Sequence, residues 1–123
     1  MNTEATDPEQ LTSQQYADAL QQLADRITDK HWQMLRAHYH APDRAVTARQ
    51  LAETVGFPNF NSSNLQYGTL GGLLCSVLGK WPGSDNVYIL ASLVRPGEQG
   101  NSEWLWIMRP QLAAALEQIQ RTQ

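Results

Sequence analysis

Between Phe57 and Gly79 the chain reads FPNFNSSNLQYGTLGGLLCSVLG, a turn and a cluster of small polar residues running into an apolar helical pattern. Gly68, Gly71 and Gly72 fall inside that helix. A glycine in a helix interior costs about 0.5–1 kcal/mol relative to alanine, so the stretch makes sense only if something comes close to its backbone. A neighbouring element of the same fold, a nucleic acid or a partner could each fill that role.

The remaining pattern surrounds this stretch with short elements. Residues 1–10 are polar, contain Pro8 and read as a disordered lead-in to a single domain over 11–123. From Leu11 the apolar residues Tyr16, Leu20, Leu23 and Ile27 recur at helical spacing. A second helix opens at Thr28, with Ile27 and Trp32 as a staple across the cap, carries Trp32, Leu35 and Tyr39, and ends before Pro42. Thr47 and Gln50 have capping-box spacing, flanked by Val46 and Leu51, and predict a short helix Ala48 to Val55 that stops at Gly56. A new helix is expected near Asn61, with Phe60 and Leu65 as its staple. On a helical wheel Leu65, Leu70, Leu73, Leu74 and Val77 form its core arc, and Gly68, Gly72, Ser76 and Gly79 a stripe of small residues suited to close helix packing.

Beyond Lys80 and the loop WPGSDN, Val87 to Val94 and Glu103 to Met108 read as two strands of a hairpin. Arg109 and Pro110 open a closing helix with Leu112, Leu116 and Ile119 as its stripe. The expected fold is α+β, mostly α: four helices, a two-stranded hairpin and a C-terminal helix, in the order of a winged helix-turn-helix. Trp104 and Trp106 alternate with Leu105 and Ile107, so both faces of the last strand are apolar. One of them is expected to be covered by the closing helix or by a second subunit, as in a homodimer.

Catalysis finds no constellation to rest on. The sequence has no Cys/His cluster with metal spacing, no G-x-S-x-G, no phosphate loop and no paired carboxylates in a motif, so neither catalytic residues nor a metal or cofactor are expected. The single cysteine, Cys75, lies in an apolar helical run and reads as a buried hydrophobe. His31, His38 and His40 lack a ligand pattern and read as surface or partly buried side chains. No run reaches the ~18 apolar residues of a spanning helix, and the amino terminus lacks the basic and apolar segments of a signal peptide. A cytoplasmic location with no membrane partner is expected.

Charge is unevenly placed. The chain totals a formal −3, yet residues 1–25 hold Glu4, Asp7, Glu9, Asp18 and Asp25 with no Lys or Arg, while residues 26–80 hold six basic residues against Asp29, Asp43 and Glu53. The central segment is mildly basic. In a helix-turn-helix the first turns of the second helix enter the major groove, so Ser62, Ser63, Asn64, Gln66 and Tyr67 are candidate DNA-binding residues, with Arg44, Arg49 and Lys80 as backbone contacts. The same polar cluster also serves as a helix cap, and both readings stay open.

The run NSSNLQYGTLGGLL, preceded by TARQLAETVGF and followed by EWLWIMRPQLAAALEQ, resembles the amino-terminal region of bacterial HNH-type endonucleases of the restriction class. There a similar A-N-L-x-Y-G-x-L-G element follows a T-A-x-x-L-A helix and precedes W-x-x-R-P-E-L-A-x-A-L. The likeness spans about Ile27 to Ile119, with Asn64, Leu65, Tyr67, Gly68, Leu70 and Gly71 as matching positions. It implies a DNA-associated accessory domain without the nuclease. The expectation is therefore a non-catalytic binder of duplex DNA. The alternative is a protein-binding adaptor or inhibitor acting on a nucleic-acid enzyme, which the low net basicity favours.

Overall fold

The computed structural model describes residues 6–98 and 100–123. Among them are helices α1 (Ser13–Gln22), α2 (Asp29–His40), α3 (Ala48–Val55), α4 (Phe60–Leu78) and α5 (Pro110–Gln118), and strands β1 (Ala45–Thr47), β2 (Ala91–Val94) and β3 (Leu105–Met108). The architecture is α+β and mostly helical. Local chemistry explains the helix starts: Thr12, Thr28 and Thr47 each form a full capping box, with Gln15, His31 and Gln50 at the reciprocal position. Gly56 closes α3 in the left-handed conformation, at φ 84°.

The sheet has three strands, not the expected two. β3 is central, antiparallel to both β2 and β1, with Ser92 and Ala45 each opposite Ile107. At three residues β1 is too short to show the alternation that marks a strand. It is delivered by a turn in which Asp43 and Arg44 both take positive φ, 56° and 55°. The first predicted strand also shortens. Asn86–Ile89 forms a 3-10 turn, and only Ala91–Val94 joins the ladder.

That turn accounts for one glycine. The Asn86 carbonyl lies against Gly71, where an added Cβ would sit 2.7 Å from its carbon atom, too close for any side chain. At Gly72 the same Cβ would meet the Asn86 amide at 3.1 Å, and at Gly68 it would meet open space. The close approach is thus a 3-10 turn on α4, rather than the helix expected along the stripe of small residues.

The buried face of α4 is Ser63, Tyr67, Leu70, Gly71 and Leu74. The expected leucine arc was centred wrongly: Leu65 is 67% exposed and Val77 36%. Aromatic packing sets the rotation of the helix, because Tyr67 lies between His38 and Trp106, at ring centroid separations of 5.7 and 5.1 Å. At the chain start Pro8 is buried in a 3-10 turn, Pro8–Gln10, and Thr6 lies against Gly79, so these residues are packed rather than loose. The expected lead-in over residues 1–5 lies outside the described residues.

Candidate functional site

Residues 38, 67 and 106 form a buried polar relay beneath the surface that the sequence marked out. The Trp106 carbonyl, 2.9 Å from His38 Nε2, can only accept, so Nε2 carries the proton. Burial pushes the His38 pKa down to about 4, so the ring is neutral and its Nδ1 accepts the Tyr67 hydroxyl proton at 2.8 Å. Burial also raises the Tyr67 pKa, which keeps the phenol protonated. His38 is therefore a core residue with both nitrogens bonded, more deeply placed than the sequence suggested.

This relay removes two residues from the expected reading surface. Tyr67 and Ser63 are both fully buried. Tyr67 faces inward because its hydroxyl has a partner there, and Ser63 precedes it by one helical turn on the same face. Ser63 Oγ finds no hydrogen-bond partner among the described residues. Gln66 is half-buried and turned to α2. His31 Nδ1 accepts from the Thr28 amide, so its Nε2–H donates to Gln66 Oε1 at 3.0 Å.

The cap of α4 is Asn59, whose side chain accepts from the Ser62 amide at 3.2 Å. Asn61 and Asn64 are consequently free of capping duty and exposed, together with Leu65 and Thr69, while Ser62 is half-exposed. No Asp, Glu, Lys or Arg occurs anywhere in α4.

Asn64 and Arg49 line one groove of about 530 Å³ between the starts of α3 and α4 and the β2–β3 hairpin. Its walls include Phe60, Leu93, Trp104 and Trp106, with Asp85, Ser102 and Glu103 at polar positions. Phe60 is 42% and Trp104 52% exposed. Arg49 Nε donates to Glu103 at 3.1 Å, and its guanidinium lies 5.6 Å from the Phe60 ring centroid. By sequence Trp104 belongs to an aromatic hairpin open to a protein partner, whereas Phe60 is marked only as a staple residue and Asp85 only as a loop residue. The pairing of β1 with β3, the packing of the Asn86 turn on α4 and the Tyr67–Trp106 contact together bring the hairpin beside α4.

The other two expected backbone contacts are elsewhere. Arg44 precedes β1 whereas Arg49 follows it, and Arg44 stacks on Tyr39 at 4.5 Å and faces Glu117 at 3.8 Å. Lys80 follows the far end of α4, whose 19 residues span about 28 Å. Arg44, Arg49 and Lys80 do not gather on one surface.

Elsewhere the described residues contain no group of three His, Cys, Asp or Glu side chains able to hold a metal ion, and no helix long and apolar enough to cross a membrane. Cys75 is half-buried, and burial raises its thiol pKa. No protein-family model, curated protein or solved structure matches this chain.

Proposed function

We propose that this chain is a non-catalytic, winged-helix-type domain that binds duplex DNA through the exposed start of α4. The observation that carries the reading is the order α2, β1, α3, α4, β2, β3 with β3 at the centre of the sheet, which sets a hairpin beside the exposed amino-terminal turns of α4. Asn61 and Asn64 offer paired donors and acceptors for base edges, and Leu65 an apolar surface for a thymine methyl. With no carboxylate on α4, nothing on that helix repels phosphate. The resemblance of residues 27–119 to the accessory region of HNH-type endonucleases points the same way.

The decisive measurement is the anisotropy of labelled duplexes, unmodified, base-modified and mismatched, titrated at low salt. Binding that weakens with salt is expected, with a shallow log–log slope of about −1 to −2, because Arg44 and Arg49 are engaged by carboxylates and few phosphates can be neutralised. Arg49→Ala combined with Asn64→Ala should weaken it about tenfold or more. Absence of binding to every duplex at low salt, or indifference to that double substitution, removes the reading.

A second reading, a protein-binding adaptor, is favoured by one specific observation. The three basic residues are dispersed, while Phe60 and Trp104 stand exposed on a groove.

A further inference from the structure

The groove beside α4 contains two exposed aromatic residues, Phe60 and Trp104, above the buried Trp106, and two carboxylates, and they are not equally occupied. Phe60 and Glu103 are engaged by the chain's own Arg49, which lies 5.6 Å from the ring centroid and 3.1 Å from the carboxylate. Trp104 and Asp85 line the same groove without such a cation. Asp85 precedes the 3-10 turn but its carboxylate makes no capping hydrogen bond, and it enters neither of the ion pairs found among the described residues. The Trp104 indole is half-exposed and takes part in no ring or cation contact found there. Counting Arg49, Asp85 and Glu103, the groove is net negative.

We infer that this groove receives a cationic side chain, guanidinium or ammonium, from a basic segment of a protein partner. Trp104 supplies the ring face and Asp85 the counter-charge, as Phe60 and Glu103 already do for Arg49. Charge selects this occupant over a nucleic acid. A base stacked on Trp104 would draw its phosphodiester toward Asp85 and Glu103, where repulsion opposes it. The inference goes beyond DNA recognition by α4 and is tested with no duplex present; Asn64 and Arg49 border the same groove, so a basic segment and a duplex would compete there.

The full chain can be titrated against a fluorescein-labelled hexapeptide of two arginines spaced by Gly and Ser, against the same peptide with citrulline for arginine, and against a labelled single-stranded oligonucleotide. Citrulline keeps the shape and removes the charge. Saturable binding of the arginine peptide alone at low salt is expected, weakened about tenfold by Asp85→Asn or Trp104→Ala. Arg49→Ala should tighten it, because that change frees Phe60 and Glu103 for a second cation. Asp85, Trp104 and Arg49 are exposed, and thermal melts identify any variant that has lost its fold. Asp85→Asn, the mildest change, carries the test alone if another variant fails. Equal binding of the citrulline peptide, no binding of either peptide, tighter binding of the oligonucleotide, or no effect of Asp85→Asn would each overturn the inference.

Discussion

His38 Nδ1 accepts the hydroxyl proton of Tyr67 across 2.8 Å of buried interior, and this bond decides which side of α4 faces the core. It joins the second helix to the fourth, and the Trp106 carbonyl ties the same ring to the central strand at 2.9 Å. A neutral imidazole is required for both bonds at once.

Acid should therefore loosen the fold through His38. Its pKa is about 4 in the folded chain against 6.5 ordinarily, so below pH 6.5 the unfolded chain binds the extra proton. The stabilisation is complete above pH 6.5 and is lost as pH falls toward 4, by on the order of 3 kcal/mol. Urea unfolding from pH 7.5 to 4 measures it. His38→Gln should be less stable at neutral pH yet show a shallower pH dependence across that window. An unchanged slope would show that His38 is not the titrating group, and nitrogen-15 NMR should find the ring as its Nε2–H tautomer.

Gly68 and Gly71 should respond in opposite directions to alanine. Gly71→Ala drives a methyl group into the Asn86 backbone and should cost about 2 kcal/mol or more, while Gly68→Ala enters open space and should gain about 0.5–1 kcal/mol from helix propensity. Thermal melts of the two variants decide it. Equal effects would mean that Asn86 does not lie against α4 as described.

Much of this architecture was legible because local rules and tertiary packing agree in most elements. The Thr47 and Gln50 box, the Gly56 stop and Pro110 at the start of α5 are each set by residues within one turn. Where long-range contacts decide, the local signal misled. Wheel analysis treated the leucines of α4 as equivalent, but a tyrosine with a buried acceptor outranks an exposed leucine for the core, and Leu65 was displaced outward. β1 has no sequence signal at three residues, and its place at the edge of the sheet is fixed by a partner some sixty residues on. The groove could not be read because Asn64, Asp85 and Trp104 come from three separate stretches. Of the residues expected to touch DNA, Asn64 and Arg49 share that groove, whereas Ser63 and Tyr67 are buried in the core face of α4.

Cys75 should behave as an unreactive thiol. Burial raises its pKa and Lys80 only partly offsets this, so the thiolate fraction near pH 8 is below that of a free cysteine. Iodoacetamide labelling of the native chain at pH 8 should run slower than that of glutathione and rise on denaturation. Labelling at the rate of a free thiol would contradict the half-buried placement.

Ser63 offers the sharpest separation of fold from recognition. It was a candidate base contact by sequence, yet it is fully buried and its hydroxyl has no partner among the described residues. Removing an unsatisfied buried hydroxyl relieves its desolvation cost, and alanine is the better helix former. Ser63→Ala should stabilise the chain by about 1 kcal/mol and leave duplex affinity unchanged, while Asn64→Ala, one residue on and exposed, should leave stability within about 0.5 kcal/mol and weaken the duplex. Denaturant midpoints and anisotropy titrations on the two variants give both readouts. If Ser63→Ala weakened the duplex at unchanged stability, the face of α4 assigned to the core would have to be the one that meets DNA.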